Sequence, residues 1–140
     1  MNLYRRYQQS ESDAGWTRMD LLIALYDKAL ERLDRAEAAL GAANPSEAMT
    51  LLLKVQQIIM ALADGVRVEV NPEANTNMLR LYEHAMHEVA QATAPGIANA
   101  RKVLQTLRQG FEAVREEANA LERSGRLSPM ARAEAVIATA

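Results

Sequence analysis

The side chains with the richest chemistry are two histidines, His84 and His87, three residues apart and flanked by Glu83 and Glu88. On a helix that spacing brings both imidazoles to one face, where two nitrogens and a nearby carboxylate would suit a zinc or iron ion. Helical bundles that hold two metal ions draw on two Glu-x-x-His motifs, and this sequence contains none. With no second ligand-bearing segment, the pair reads more plainly as solvent-facing histidines. Neither a glycine-rich phosphate loop nor a serine-centred nucleophile elbow occurs. The residue types therefore argue against catalysis and against a metal or other cofactor, and favour a protein that acts by binding.

Composition narrows what could be bound. Sixteen basic and eighteen acidic side chains leave a net charge of −2, too little to attract nucleic acid or an anionic membrane. No cysteine is present, which removes thiol chemistry and disulfides and favours a reducing, cytosolic home. The opening MNLYRRYQQSES has no apolar run behind its arginines, and no eighteen consecutive residues are apolar. Neither a signal peptide nor membrane insertion is expected. At 140 residues one domain can bury a core without staples.

The elements that must position any site are helices. From Thr17 to Leu40, Met19, Leu22, Tyr26, Ala29, Leu33, Ala36 and Leu40 recur at steps of three and four, one continuous apolar seam. Thr17 and Asp20 form a capping box at its start, and Gly41 suits the left-handed residue just past its end. Leu21, Ile23, Leu25 and Leu30 flank the seam, more apolar surface than a single neighbouring helix can cover. Asn44, Pro45 and Glu47 then signal a second helix, with its seam at Ala48, Leu52, Val55, Ile59, Leu62 and Val66. Asn71 and Pro72 repeat the signal for a third, which runs to about Ala92 with Met78, Tyr82, Ala85 and Val89 on its seam. Pro95 and Gly96 break the chain. A fourth helix follows, through Ile97, Ala100, Leu104, Leu107, Phe111, Val114, Ala118 and Leu121, and closes at Gly125. Gly110 inside it suggests close approach of another helix. The fold class is all-α: an antiparallel up-down four-helix bundle over 17–125, preceded by an N-terminal arm over 1–16. Residues 126–140 follow as a tail, with Ser128 and Pro129 able to start a short C-terminal helix.

Surface stripes carry the functional signal. On the second helix Met49, Leu53 and Met60 cluster about 120° from the middle of the seam, while Leu51 and Ile58 sit on the other flank. The third helix has a second stripe at Leu79 and Met86. In a four-helix bundle no helix is central, so two apolar stripes on one helix imply a bound partner or central burial. Methionine-rich stripes adapt to irregular helical partners. Met49, Leu53 and Met60 are the foremost candidates for that contact, with Leu51, Ile58, Leu79 and Met86 next.

Several strings together resemble the FliS family of flagellin export chaperones. They are the arm with Tyr4, Tyr7 and Gln9, the run LLIALYDKAL, the run EAMTLLLKVQQIIMAL and the run EANTNMLRLYEHAM. The family's Leu-Tyr-Asp-Gly-Ala-Leu pattern is met at Leu25, Tyr26, Asp27, Ala29 and Leu30, with Lys28 replacing glycine, and its Leu-Tyr pair at Leu81 and Tyr82. The usual Thr-Ala-Ser-Pro stretch before the first long helix is here Ala14, Gly15, Trp16, Thr17 and Arg18. The resemblance implies a cytoplasmic chaperone, without catalysis, that binds the disordered C-terminal segment of flagellin and keeps it from polymerising before type III export. It also implies that the N-terminal arm lies over part of the flagellin groove and moves aside on binding. Whether another flagellar export or regulatory factor also docks stays open, as does the free state, monomer or weak dimer. The rival reading is a self-associating structural or adaptor bundle whose stripes meet in a dimer.

Overall fold

A computed structural model describes residues 17–125; the expected arm and tail, with Tyr4, Tyr7 and Gln9, lie outside the described residues. Within them are four helices and no strand: α1 (Arg18–Gly41), α2 (Pro45–Asp64), α3 (Pro72–Ala90) and α4 (Ala94–Arg123). Each start is set by a local polar side chain. Thr17 and Asp20 complete a reciprocal capping box, each backbone N–H donating to the other's side chain at 3.1 Å. Asn44 accepts from the Glu47 N–H at 3.2 Å, and Asn71 from the Ala74 N–H at 3.3 Å. Pro45 and Pro72 occupy first-turn positions where no N–H is needed.

Three local expectations need correction. Gly41 is the last residue of α1, and the left-handed position falls two residues later at Ala43, with φ 56°. Pro95 and Gly96 do not break the chain but lie in the first turn of α4, capped by Thr93, whose hydroxyl accepts from the Gly96 N–H at 3.1 Å. Proline is tolerated there because the first-turn N–H groups have no partner inside the helix. It is Gly96, and not Gly110, that sits at a close approach. A methyl group at Gly96 would collide with the Glu88 backbone carbonyl, whereas one at Gly110 would meet nothing within 4 Å among the described residues.

The helices close into a bundle in which α1 packs on α2 and α4, α3 packs on α4, and α2 and α3 form the least extensive of these contacts. Having two neighbours explains the surplus apolar surface of α1: Leu21, Ile23 and Leu25 are buried together with Met19, Tyr26, Ala29 and Leu33. Across the core, between helices that are not neighbours in this ring, the hydroxyls of Tyr26 and Tyr82 hydrogen-bond to each other. The Tyr26 ring also lies 5.5 Å from that of Phe111, tilted by 37°. Burial, then the adjoining Tyr82 hydroxyl, pushes the Tyr26 phenol well above its ordinary range, so it is neutral.

A ladder of ion pairs runs along the α1–α4 seam. Asp20 pairs with Arg115 at 2.8 Å, Asp27 with Arg108 at 2.5 Å and Asp34 with Arg101 at 2.9 Å. Partner numbers fall by seven on α4 as they rise by seven on α1, one rung for every two turns of each helix. At the end of the ladder Asp20 also accepts from the Thr17 N–H and from Asn119. Burial pushes its carboxyl up, but the hydrogen bonds from Thr17, Arg115 and Asn119 outweigh that and hold it below the ordinary carboxylate value.

A depressed folded-state value means that Asp20 contributes stability above the unfolded-state pKa, and that this contribution is lost as pH falls through the folded value. Asp20→Asn is therefore expected to melt below the wild type near pH 7. Thermal melts repeated down to about pH 3 should show the gap closing as wild-type Asp20 is protonated. A gap independent of pH would show that the carboxylate charge contributes nothing.

Candidate docking surface

On α2 the core side and the solvent side separate by helical geometry alone. At 100° per residue, Ala48, Leu52, Val55, Ile59 and Leu62 form one arc, and all five are buried. Met49, Leu53 and Met60 lie away from it and are 49%, 52% and 56% exposed. Steps of four and seven align them along three turns, a strip about 16 Å long. Large apolar side chains set in a row, half in water, are the feature that a monomer surface usually lacks. Such a row fits an amphipathic helix laid against it, with anchors at matching one-turn intervals.

The second-choice residues divide. Leu51 and Ile58 are buried, 3% and 2% exposed, and so cannot offer a surface while the bundle is closed. Two neighbouring helices widen the buried arc of α2 beyond its seam, and that flank is part of the core. Leu79 and Met86 on α3 are half-buried and packed against the same core. Two exposed apolar residues were not among the candidates: Val70, in the α2–α3 link, and Leu81 on α3. Leu81 lies off the seam of Met78, Tyr82, Ala85 and Val89, which is the signal that could have marked it. Val70 stands in a link without periodicity, so no pattern could have marked it.

Other chemistry is sparse here. His84 is exposed and lies 3.9 Å from the carboxylate of Glu88, a largely covered side chain one helical turn on. His87 and Glu83 are exposed as well. Among the described residues no three His, Cys, Asp or Glu side chains are grouped to hold a metal ion. One described helix, α2, is long and apolar enough to cross a membrane by length and composition, but close to half of it is buried inside the bundle. Its apolar character is the sum of a core seam and the exposed strip.

A family model described as Flagellar protein FliS matches residues 1–118. Among curated proteins and among solved structures no match was found.

The division of α2 into two faces predicts opposite responses to substitution. Met60→Lys, with a charge that suits the last turns of a helix, should change stability by no more than about 0.5 kcal/mol. Ile58→Ala should cost about 2–5 kcal/mol through the cavity it leaves. Urea unfolding followed by circular dichroism measures both, and similar losses would mean that Met60 belongs to the core.

Proposed function

This chain belongs to the FliS family of flagellar proteins, and from that premise we propose that it is an export chaperone for flagellin. In this reading the bundle over 17–125, with its helices alternating up and down, binds the C-terminal segment of flagellin in the cytosol. The bound segment is kept from polymerising until it enters the type III export route. The observation that carries the proposal is the exposed row Met49, Leu53 and Met60, about 120° round α2 from its buried seam. A segment that is disordered alone must recover the cost of its own ordering, about 2–5 kcal/mol or more, from apolar contact. The row offers that contact, and Leu81 on the adjoining helix could extend it. Function of this kind needs no catalytic group, and its partner is a protein segment, with no role for nucleic acid or for insertion into a membrane.

Residues 1–16 act in this proposal as a tethered cover. Tyr4, Tyr7 and Trp16 are large apolar groups in a segment otherwise too polar to fold alone. A short tether gives an effective concentration of order millimolar, so even a weak contact by the arm competes with the client.

Flagellin should be retained by the immobilised chain, and flagellin lacking its C-terminal segment should not; equal retention of both would defeat the proposal. Met49→Glu and Met60→Lys, each placed so that the new charge suits its end of α2, should each weaken retention by about tenfold, or 1.4 kcal/mol. If the row instead joins two copies of this chain, sedimentation will show a dimer that both substitutions dissociate. Deleting residues 1–12 should speed flagellin association and raise dye binding to the free protein. Abolished binding would make the arm part of the site, and no change in either would make it a plain chain end.

A further inference from the structure

An open groove of about 510 Å³ lies between α3 and α4, lined chiefly by Met78, Thr106, Leu107, Gly110, Phe111 and Val114. Gly110 lines it as an exposed residue, with open space where a side chain would stand. A glycine in mid-helix costs about 1 kcal/mol relative to alanine, and no described neighbour comes near enough to explain it. From the groove a second apolar stripe, Leu107, Val114 and Leu121, runs at heptad spacing to the end of α4, half-buried against the core. Gly125, just past α4, has φ +75°, the left-handed conformation with which a chain leaves a helix and turns aside.

The geometry points to residues 128–140 of this same chain as the occupant: a short helix that turns back after Gly125 and lies along the stripe into the groove. Ser128 and Pro129 supply the cap and first-turn proline of such a helix. Met130, Ala133, Ile137 and Ala140 recur at steps of three, four and three on one face, with Arg132 and Glu134 off it. Lengths agree. From Arg123 back to Gly110 is about 20 Å along α4, and a helix over 129–140 spans about 18 Å. Alanines on the inner face would let the two backbones approach closely, which is what a glycine in the groove permits.

The other segment outside the described residues, 1–16, is less well placed. It joins α1 at Thr17, whose hydroxyl donates to the Asn119 side-chain oxygen at 2.5 Å. Asn119 shares a flank of α4 with the ladder residues Arg101, Arg108 and Arg115, roughly 120° round the helix from Leu107, Gly110 and Val114. The arm would have to cross α4 to reach the groove, whereas the tail continues from α4 itself.

The absence of native cysteine allows a direct test. Ala113→Cys places one thiol at the exposed edge of the groove, and its labelling by a maleimide reports cover. In the full chain, labelling should be slower than in the chain lacking 126–140 by about tenfold, the ratio for a tail docked nine-tenths of the time. Ile137→Asp in the full chain should restore fast labelling while the helical signal falls no lower than that of the chain lacking 126–140. The inference is overturned if labelling is equally fast in all forms, if only deletion of residues 1–12 releases the thiol, or if protection rises with protein concentration, which would mean a second copy. None of these outcomes depends on flagellin, so the test stands or falls apart from the chaperone reading.

Discussion

The hydrogen bond between Tyr26 and Tyr82 is the constraint on which the rest of the bundle turns. Both side chains are almost wholly buried, and a phenol taken out of water without a partner costs about 1–3 kcal/mol. The two hydroxyls bond to each other across the core, and they sit on α1 and α3, helices that share no extensive contact. The bond fixes the rotation of both helices about their own axes. With Tyr26 at the centre, Asp27 lies beside Arg108 of α4, and next to the buried Tyr82 the Leu81 side chain is exposed.

Register along the seam is set by different means. Asp27 and Asp34 are more than half exposed, and ion pairs of that kind contribute at most about 1 kcal/mol each. Their value lies in discrimination. A slip of α4 by one turn would set Arg108 and Arg101 against the wrong rungs and strip Asp20 of both Arg115 and Asn119. Asp20, the least exposed acid of the three, makes the wrong register costly, and the two outer pairs repeat its preference.

Much of this was legible in the chain because it is local. Thr17, Asn44 and Asn71 announce helix starts through side chains that bond within three residues, and the seams of α1 and α2 follow from period alone. The row Met49, Leu53 and Met60 could be placed in water because it lies away from the seam of its own helix. Leu51 and Ile58 could not be sorted, since their burial depends on where two other helices pack. The same limit hid the ladder: Asp20, Asp27 and Asp34, and Arg101, Arg108 and Arg115, are both spaced by seven, but spacing does not say that the two series meet. Ala43 shows the remaining difficulty, a left-handed turn taken by a residue with no special liking for it, imposed by the short link between α1 and α2.

The ladder also orders events in time. Its rungs join residues 67, 81 and 95 positions apart, all contacts of long range in sequence. During synthesis α1 is the first of the four helices to leave the ribosome, and its partners on α4 are the last to be made. At 5–20 residues per second the interval between Asp20 and Arg115 is about 5–19 s. Throughout it, Tyr26 lacks its ring neighbour Phe111, and the acidic side of α1 has no arginine to face. The helix made first waits longest for the last of its partners.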